Sequence, residues 1–207
     1  MSFTGFNQTD FDVFEVPGLE ARMSTLIANV RPKLQILGEH LAPFLSVLCG
    51  EPMCLHVARH ARRKVNPPND TWVAWSNNKR GYKAHPHFQV GLFSTHLFIQ
   101  FAIIYESNHK ITFANHFEKQ LNKTKKAIPD YFFWSLDHTL PQTTLHRKMG
   151  KEDFQQVVYK LRHLKNSEVL CGLEVPREDP VLTDGPRLLK LIEDTFSKLL
   201  PLYKLSF

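Results

Sequence analysis

Arginine and lysine neutralise phosphate charge, and flat aromatic rings stack on bases or on a nucleotide ring. One stretch of this chain brings both residue types together. Between His56 and Lys83 lie Arg59, Arg62, Arg63, Lys64, Lys79, Arg80 and Lys83, interleaved with Trp72, Trp75 and Tyr82. Asp70 is the only acid among them, so the stretch carries +6, the net charge of the whole chain. Charge concentrated in this way identifies a class of partner: phosphates, nucleic acid or an acidic surface. The candidate ligand-binding residues are His56, Arg59, Arg62, Arg63, Trp75, Lys79, Arg80, Tyr82 and Lys83. The plain alternative is a solvated cationic face and a charged loop tip that bind nothing in particular. Trp72 and Trp75 are three apart, so on a regular strand they point to opposite faces and at least one belongs to the core.

The chain has 11 histidines. His56 and His60 share a face if their segment is helical, and Cys54, His85 and His87 are near in sequence. Zinc needs three or four converging ligands. No carboxylate accompanies the pair, and Arg59 and Arg63 would oppose a dication, so no metal site is expected. Asp137-His138 and Tyr105-Glu106 stand at the ends of expected strands, where catalytic groups often project. They support a rival reading, an enzyme with a pocket at the strand ends and His138, Asp137 or Glu106 as acid and base. Neighbours in a strand point opposite ways, so Asp137 does not simply orient His138. No GxSxG, Walker-type or GxGxxG motif is present, and no cofactor is implied. Cys171, between Leu170 and Gly172, reads as core, and Arg177 at a strand end is a weak addition to an anion site.

The elements that must position these groups follow from apolar spacing. Leu19, Met23, Leu26, Val30, Leu34, Leu37, Leu41, Leu45 and Leu48 step by three and four, one stripe of consecutive helical pieces bent or restarted at Pro32 and Pro43. A short helix is expected from Met53 to Val65, with His56, Arg59, His60 and Arg63 as its cationic stripe. Strands are expected at Thr71 to Ser76, His87 to Phe93 and Leu97 to Glu106, the last covered on both sides. Asn77 to Lys83 reads as a basic loop. His109 to Lys126 is helical, Tyr131 to Leu136 and Thr143 to Lys148 are strands, Glu152 to Leu164 is a helix, and Glu168 to Val175 is a strand. A last helix runs to Leu200 from a cap at Asp184-Gly185-Pro186. Consecutive strands followed by segregated helices give an α+β class, one domain over 1–207 with a largely antiparallel sheet packed by several helices.

Composition agrees with a globular chain: 207 residues, 43% hydrophobic, 16 Phe and 3 Trp. Cys49, Cys54 and Cys171 form no CxxC pattern and read as free thiols of a reducing compartment. The start carries no secretion signal, and the apolar run Leu97 to Tyr105 is too short for a bilayer. A cytoplasmic protein without a membrane segment is expected.

Several motifs together resemble the uncharacterised YktB-like family of Gram-positive bacteria. They are Gly18-Leu19-Glu20-Ala21-Arg22-Met23, His56-Val57-Ala58-Arg59-His60-Ala61-Arg62-Arg63, Asn77 to Lys83, Ile104-Tyr105-Glu106-Ser107, Trp134 to His138, and Val175-Pro176-Arg177-Glu178. The resemblance implies a compact α+β fold with a largely antiparallel sheet. It implies no activity and supplies no catalytic residues, since the family is one of unknown function. The leading functional expectation is a binding module for a phosphate-bearing ligand, nucleic acid first and a nucleotide or phosphorylated metabolite second. The enzyme is the alternative. Docking of an acidic protein is a third reading.

Overall fold

Residues 2–207 are described by a computed structural model. Its strands are β1 (Cys54–Val57), β2 (Asp70–Ser76), β3 (His87–Phe93), β4 (His96–Ile103), β5 (Phe133–Ser135), β6 (Thr144–Leu145) and β7 (Val169–Pro176). They form one sheet in the order β1-β2-β3-β4-β7-β5-β6, with every neighbouring pair antiparallel. Helices layer one face, and the class is α+β.

Alternation along each strand sorts the residues between the two faces. Val73 and Trp75 of β2, Phe88 and Val90 of β3, Ile99 and Phe101 of β4, and Cys171 of β7 enter the main core. Against them lies α3 (Arg31–Cys49), whose Leu34, Leu37, Leu41 and Leu45 are fully buried. It continues α2 (Leu19–Thr25), which the short α1 (Gln8–Asp12) precedes, through a widened π turn at Leu26–Val30, just ahead of Pro32, which has no amide to donate. Gly38 lets α3 approach the sheet closely, and its carbonyl accepts from Trp75 Nε1 at 3.0 Å. The second large helix, α7 (Gly185–Lys204), starts where Asp184 accepts from the Arg187 amide. Its Phe196 packs 4.9 Å from Phe88 and 5.8 Å from Trp75, ring centre to ring centre. Helices α4 (Lys110–Lys119) and α6 (Lys151–His163) close the rest, with Phe117 against Phe154.

Three expectations are corrected. Met53 to Val65 is not a helix: it is β1 followed by an irregular segment, 58–69. Leu55 and Val57 pair with Trp75 and Val73 of β2 and pack on the core, so a period of two wins over the four-residue spacing of the histidines. His60, at φ 51°, lies in the left-handed region, which no α-helix contains. Thr143 to Lys148 is only the short β6 and a 3-10 turn at His146–Lys148. His109 to Lys126 breaks at Gln120 into α4 and α5 (Leu121–Ala127).

Candidate functional site

Among the described residues no helix covers the other face of the sheet. It presents Asp70 and Trp72 from β2, Gln89 and Gly91 from β3, Phe98 and Gln100 from β4, and Leu170, Gly172 and Glu174 from β7, by the parity opposite to the core residues. Two glycines keep this floor low. A Cβ at Gly91 would overlap the Phe98 ring, and one at Gly172 would overlap the backbone of Ile99 and Gln100. Phe98 therefore lies flat across the sheet beside Trp72. Segment 136–143 folds along this face and makes a cleft with it.

The cleft encloses about 420 Å³ of empty space, its open mouth included, and only about 20 Å³ of it admits the centre of a water molecule. Asp70, Trp72, Gln89, Gln100, Ser135 and His138 line it, together with Phe93, His96, Phe98, Leu140, Thr143 and Glu174. No lysine or arginine stands in its wall.

His138 owes its place to sheet register. Ser135 pairs with Leu170 in the β5–β7 ladder, so the chain leaving β5 runs alongside Glu168, which directly precedes β7. The Glu168 carboxylate accepts from the His138 amide at 2.9 Å, from the Tyr105 amide at 3.2 Å, and from His138 Nδ1 at 2.8 and 2.9 Å. A carboxylate only accepts, so Nδ1 carries a proton in either charge state, and in the neutral imidazole Nε2 keeps its lone pair. Among the described residues Nε2 has no hydrogen-bond partner, and His138 lines the cleft. Burial alone would lower the His138 pKa; the hydrogen bond and charge of Glu168, with Asp70 and Asp137 nearby, outweigh it and hold the pKa above the usual value. Tyr105 stacks over the imidazole at 6.3 Å.

Asp70 faces the same space. Burial pushes its carboxyl up to about 6, against the opposing pull of Arg63 and His138. Glu174 is also raised by burial, opposed by Thr143, and its Oε1 has no hydrogen-bond partner. His96 Nε2 lies 3.8 Å from that oxygen, too far for a hydrogen bond, and burial drives the His96 pKa down to about 4. Asp137, His138 and Glu168 place ligand atoms within 4.8 Å of one another. Those atoms are already engaged: Nδ1 with Glu168, and Asp137 with the amide and hydroxyl of Thr139 at 2.8 and 2.6 Å. The arrangement is that of an oriented histidine rather than a vacant coordination shell.

The residues singled out from sequence divide four ways. Arg62 and Arg63 are exposed on segment 58–69, outside the cleft wall. The charge of Arg63 reaches Asp70, and that of Arg62 reaches Glu106, whose carboxylate pairs with Lys83 at 3.1 Å. The two basic segments thus adjoin. His56 and Tyr82 are structural supports of these segments: His56 Nε2 bonds the Asn78 carbonyl at 2.8 Å, and Trp72 Nε1 donates to the Tyr82 hydroxyl at 2.9 Å. Arg59, Lys79 and Arg80 are exposed, outside the cleft wall. Trp75 is a correction: it is fully buried on the helical face and reaches no ligand. The expected pairing of His56 with His60 is also corrected, since His60 bonds Thr71 Oγ1 and the two imidazoles keep separate partners.

Sequence reasoning missed Glu168, Gln89, Gln100 and Glu174 as site residues, weighed Trp72 as a stacking ring but chose Trp75, and counted Asp70 only as an offset to charge. One signal was visible. Gln89, Gln100 and Glu174 fall at alternate positions of otherwise apolar strands, the mark of a polar face inside a buried sheet.

Comparison with known proteins bears on the same residues. A family model described as "Domain of unknown function (DUF1054)" matches residues 6–203. The chain belongs to the DUF1054 family. A UPF0637 protein of Bacillus cereus (strain B4264) and another of Bacillus thuringiensis (strain Al Hakam) are each 49% identical to it over 205 residues, 99% of either chain. The DUF1054 match spans every residue of the cleft, from Asp70 to Glu174. No described helix is long and apolar enough to cross a membrane.

Proposed function

We propose that this DUF1054 protein holds a small phosphate-bearing molecule at the mouth of the cleft and uses His138 to move a proton on it. The observation that carries the reading is His138 itself, a cleft-lining residue like Asp70, its Nδ1 committed to buried Glu168 and its Nε2 without a hydrogen-bond partner among the described residues. A general base needs its proton-accepting atom free and its ring fixed by a second group. The Glu168 contact and the unpartnered Nε2 support this role for His138.

Arg62 and Arg63 supply the attraction for the anionic part of the ligand. Their exposed guanidinium groups suit bidentate phosphate contacts. The cleft wall, acidic and aromatic, suits the uncharged remainder of the molecule. Nucleic acid is a poorer fit. Trp75 offers no stacking face, and Trp72 is half-buried with its indole N–H tied to Tyr82.

The test is a titration followed by intrinsic tryptophan fluorescence, with inorganic phosphate, a set of phosphomonoesters and a short single-stranded oligonucleotide at low and moderate salt. Saturable binding of a phosphomonoester, weakened at least tenfold in an Arg62→Ala, Arg63→Ala double variant, is the expected result. Affinity unchanged in that variant, or binding of the oligonucleotide alone, would overturn the reading.

A further inference from the structure

We infer that an open groove between α5 and the turn at His146–Lys148 holds a single strand of nucleic acid by its phosphates. The groove is separate from the cleft, and the inference does not depend on the function proposed there.

About 650 Å³ of the groove admits the centre of a water molecule, against about 20 Å³ of the cleft, and no residue lines both. Asn122, Lys125 and Lys126 fall at i, i+3 and i+4 of α5, so one face of that helix is turned to the groove. Asp130, His146 and Arg147 line it as well. Hydrogen bonds fix these parts relative to one another. His146 Nδ1 accepts from Trp134 Nε1 at 2.9 Å, so Nε2 carries the proton and donates to the Lys125 carbonyl at 2.9 Å. The Arg147 amide donates to the Asp130 carbonyl at 3.1 Å. The groove is therefore built before any ligand arrives.

Its cations are uncommitted. Lys83, Arg162 and Arg177 each pair with a carboxylate elsewhere in the fold. Among the described residues Lys125, Lys126 and Arg147 form no ion pair, although Asp130 lines the same groove. Lys126 and Arg147 are exposed, and so are their near neighbours in the chain, Lys123 and Lys148. Three cations against one acid in a concave surface attract a polyanion. Tyr131, next in the chain to Asp130, is half exposed, and Lys198 Nζ lies 5.8 Å from its ring centre. A cationic groove with an aromatic ring beside it suits a phosphodiester chain and its bases, and stacking on the ring requires an unpaired base. A bilayer fits poorly. Ile128 is buried and Met149 half-buried, so the lining offers no exposed apolar side chain to insert.

The experiment follows the fluorescence anisotropy of a short labelled oligothymidylate at increasing salt. It compares wild type, a Lys126→Glu, Arg147→Glu variant, the milder Lys126→Gln, Arg147→Gln variant, and an Arg62→Ala, Arg63→Ala control, each checked for folding by circular dichroism. Saturable binding is expected, with a slope of log affinity against log salt of about −2 if three cations are engaged. Charge reversal in the groove should weaken binding at least tenfold and charge removal should act in the same direction, while the control keeps wild-type affinity. Duplex DNA, polyglutamate and anionic vesicles should compete poorly. No binding at low salt, or a loss in the control in place of the groove variants, would overturn the inference. Efficient displacement by the duplex, by polyglutamate or by vesicles would overturn it in favour of that other partner. Phosphomonoester binding at the cleft is read separately, so either proposal can fail while the other stands.

Discussion

His138 Nδ1 lies 2.9 and 2.8 Å from the two carboxylate oxygens of Glu168, a residue thirty positions later in the chain. Glu168 also fixes the His138 backbone amide, so ring and main chain are held by one buried acid. Removing the negative charge at position 168 should therefore lower the His138 pKa, because the hydrogen bond and charge that raise it are lost while burial, which lowers it, remains. A Glu168→Gln variant followed by NMR titration of the imidazole C–H signals checks this. A pKa that stays where it is in wild type would show that Glu168 does not set the protonation of His138.

Asp70 gives a stability prediction of a known sign. Its carboxyl titrates near 6 in the folded chain against an ordinary 3.8, so the folded state binds the proton more tightly. The group is most favourable below the ordinary value, and its contribution is lost as pH rises through the folded one. Above that window the buried charge costs about 2–3 kcal/mol. Asp70→Asn should stabilise the protein at pH 8 by about 1–3 kcal/mol and do nothing below pH 4, as read from urea midpoints. A stabilising substitution at a cleft residue is what a site that trades stability for function produces.

The buried histidines act in the opposite direction. Burial drives both His87, which is fully enclosed, and His96 down to about 4 from 6.5. Their folded-state pKa values are depressed, so the stability they retain above 6.5 is lost as pH falls toward 4, by about 1.4 kcal/mol per pH unit for each. Unfolding should thus steepen across that interval, and a His87→Leu variant should flatten it. Asp70 opposes the loss, so the Asp70→Asn background should show the steeper fall. A variant whose stability curve parallels wild type would count against buried, neutral His87.

Packing sets the last prediction. Gly172 sits on the cleft floor where a methyl group would run into the Ile99 carbonyl and Gln100. Strand β4 is central and cannot retreat, because β3 holds its other edge. Gly172→Ala should destabilise by more than about 3 kcal/mol, similar to Phe196→Ala at about 3–5 kcal/mol on the opposite face. Thermal melts of the two variants provide the comparison. A near-neutral Gly172→Ala would mean that the floor is looser than described.

The alternation of Phe88, Val90 and Leu92 and the Asp184 cap announced β3 and the start of α7, because both signals are local. Met53 to Val65 misled for the opposite reason: its histidine spacing is helical, but its pairing partner, β2, lies beyond the loop and decides the outcome. The site divides along the same line. Arg62, Arg63 and His138 were legible by residue type and position. Glu168 was not, since only the β5–β7 register brings it to His138. Trp75 was chosen for its ring and lost to the core by strand parity, the same rule that left Trp72 on the cleft side.

The central claim, that one cleft on the uncovered sheet face is the ligand site, is tested most directly by NMR chemical-shift mapping of the isotope-labelled protein with glycerol 3-phosphate. Saturable shifts confined to the amides around Arg63, Trp72, Gln89, Gln100 and His138, with the His138 ring signals moving in parallel, are the predicted result. Shifts centred elsewhere, for instance on Lys125 and Lys126 of α5, with His138 unmoved, would contradict it.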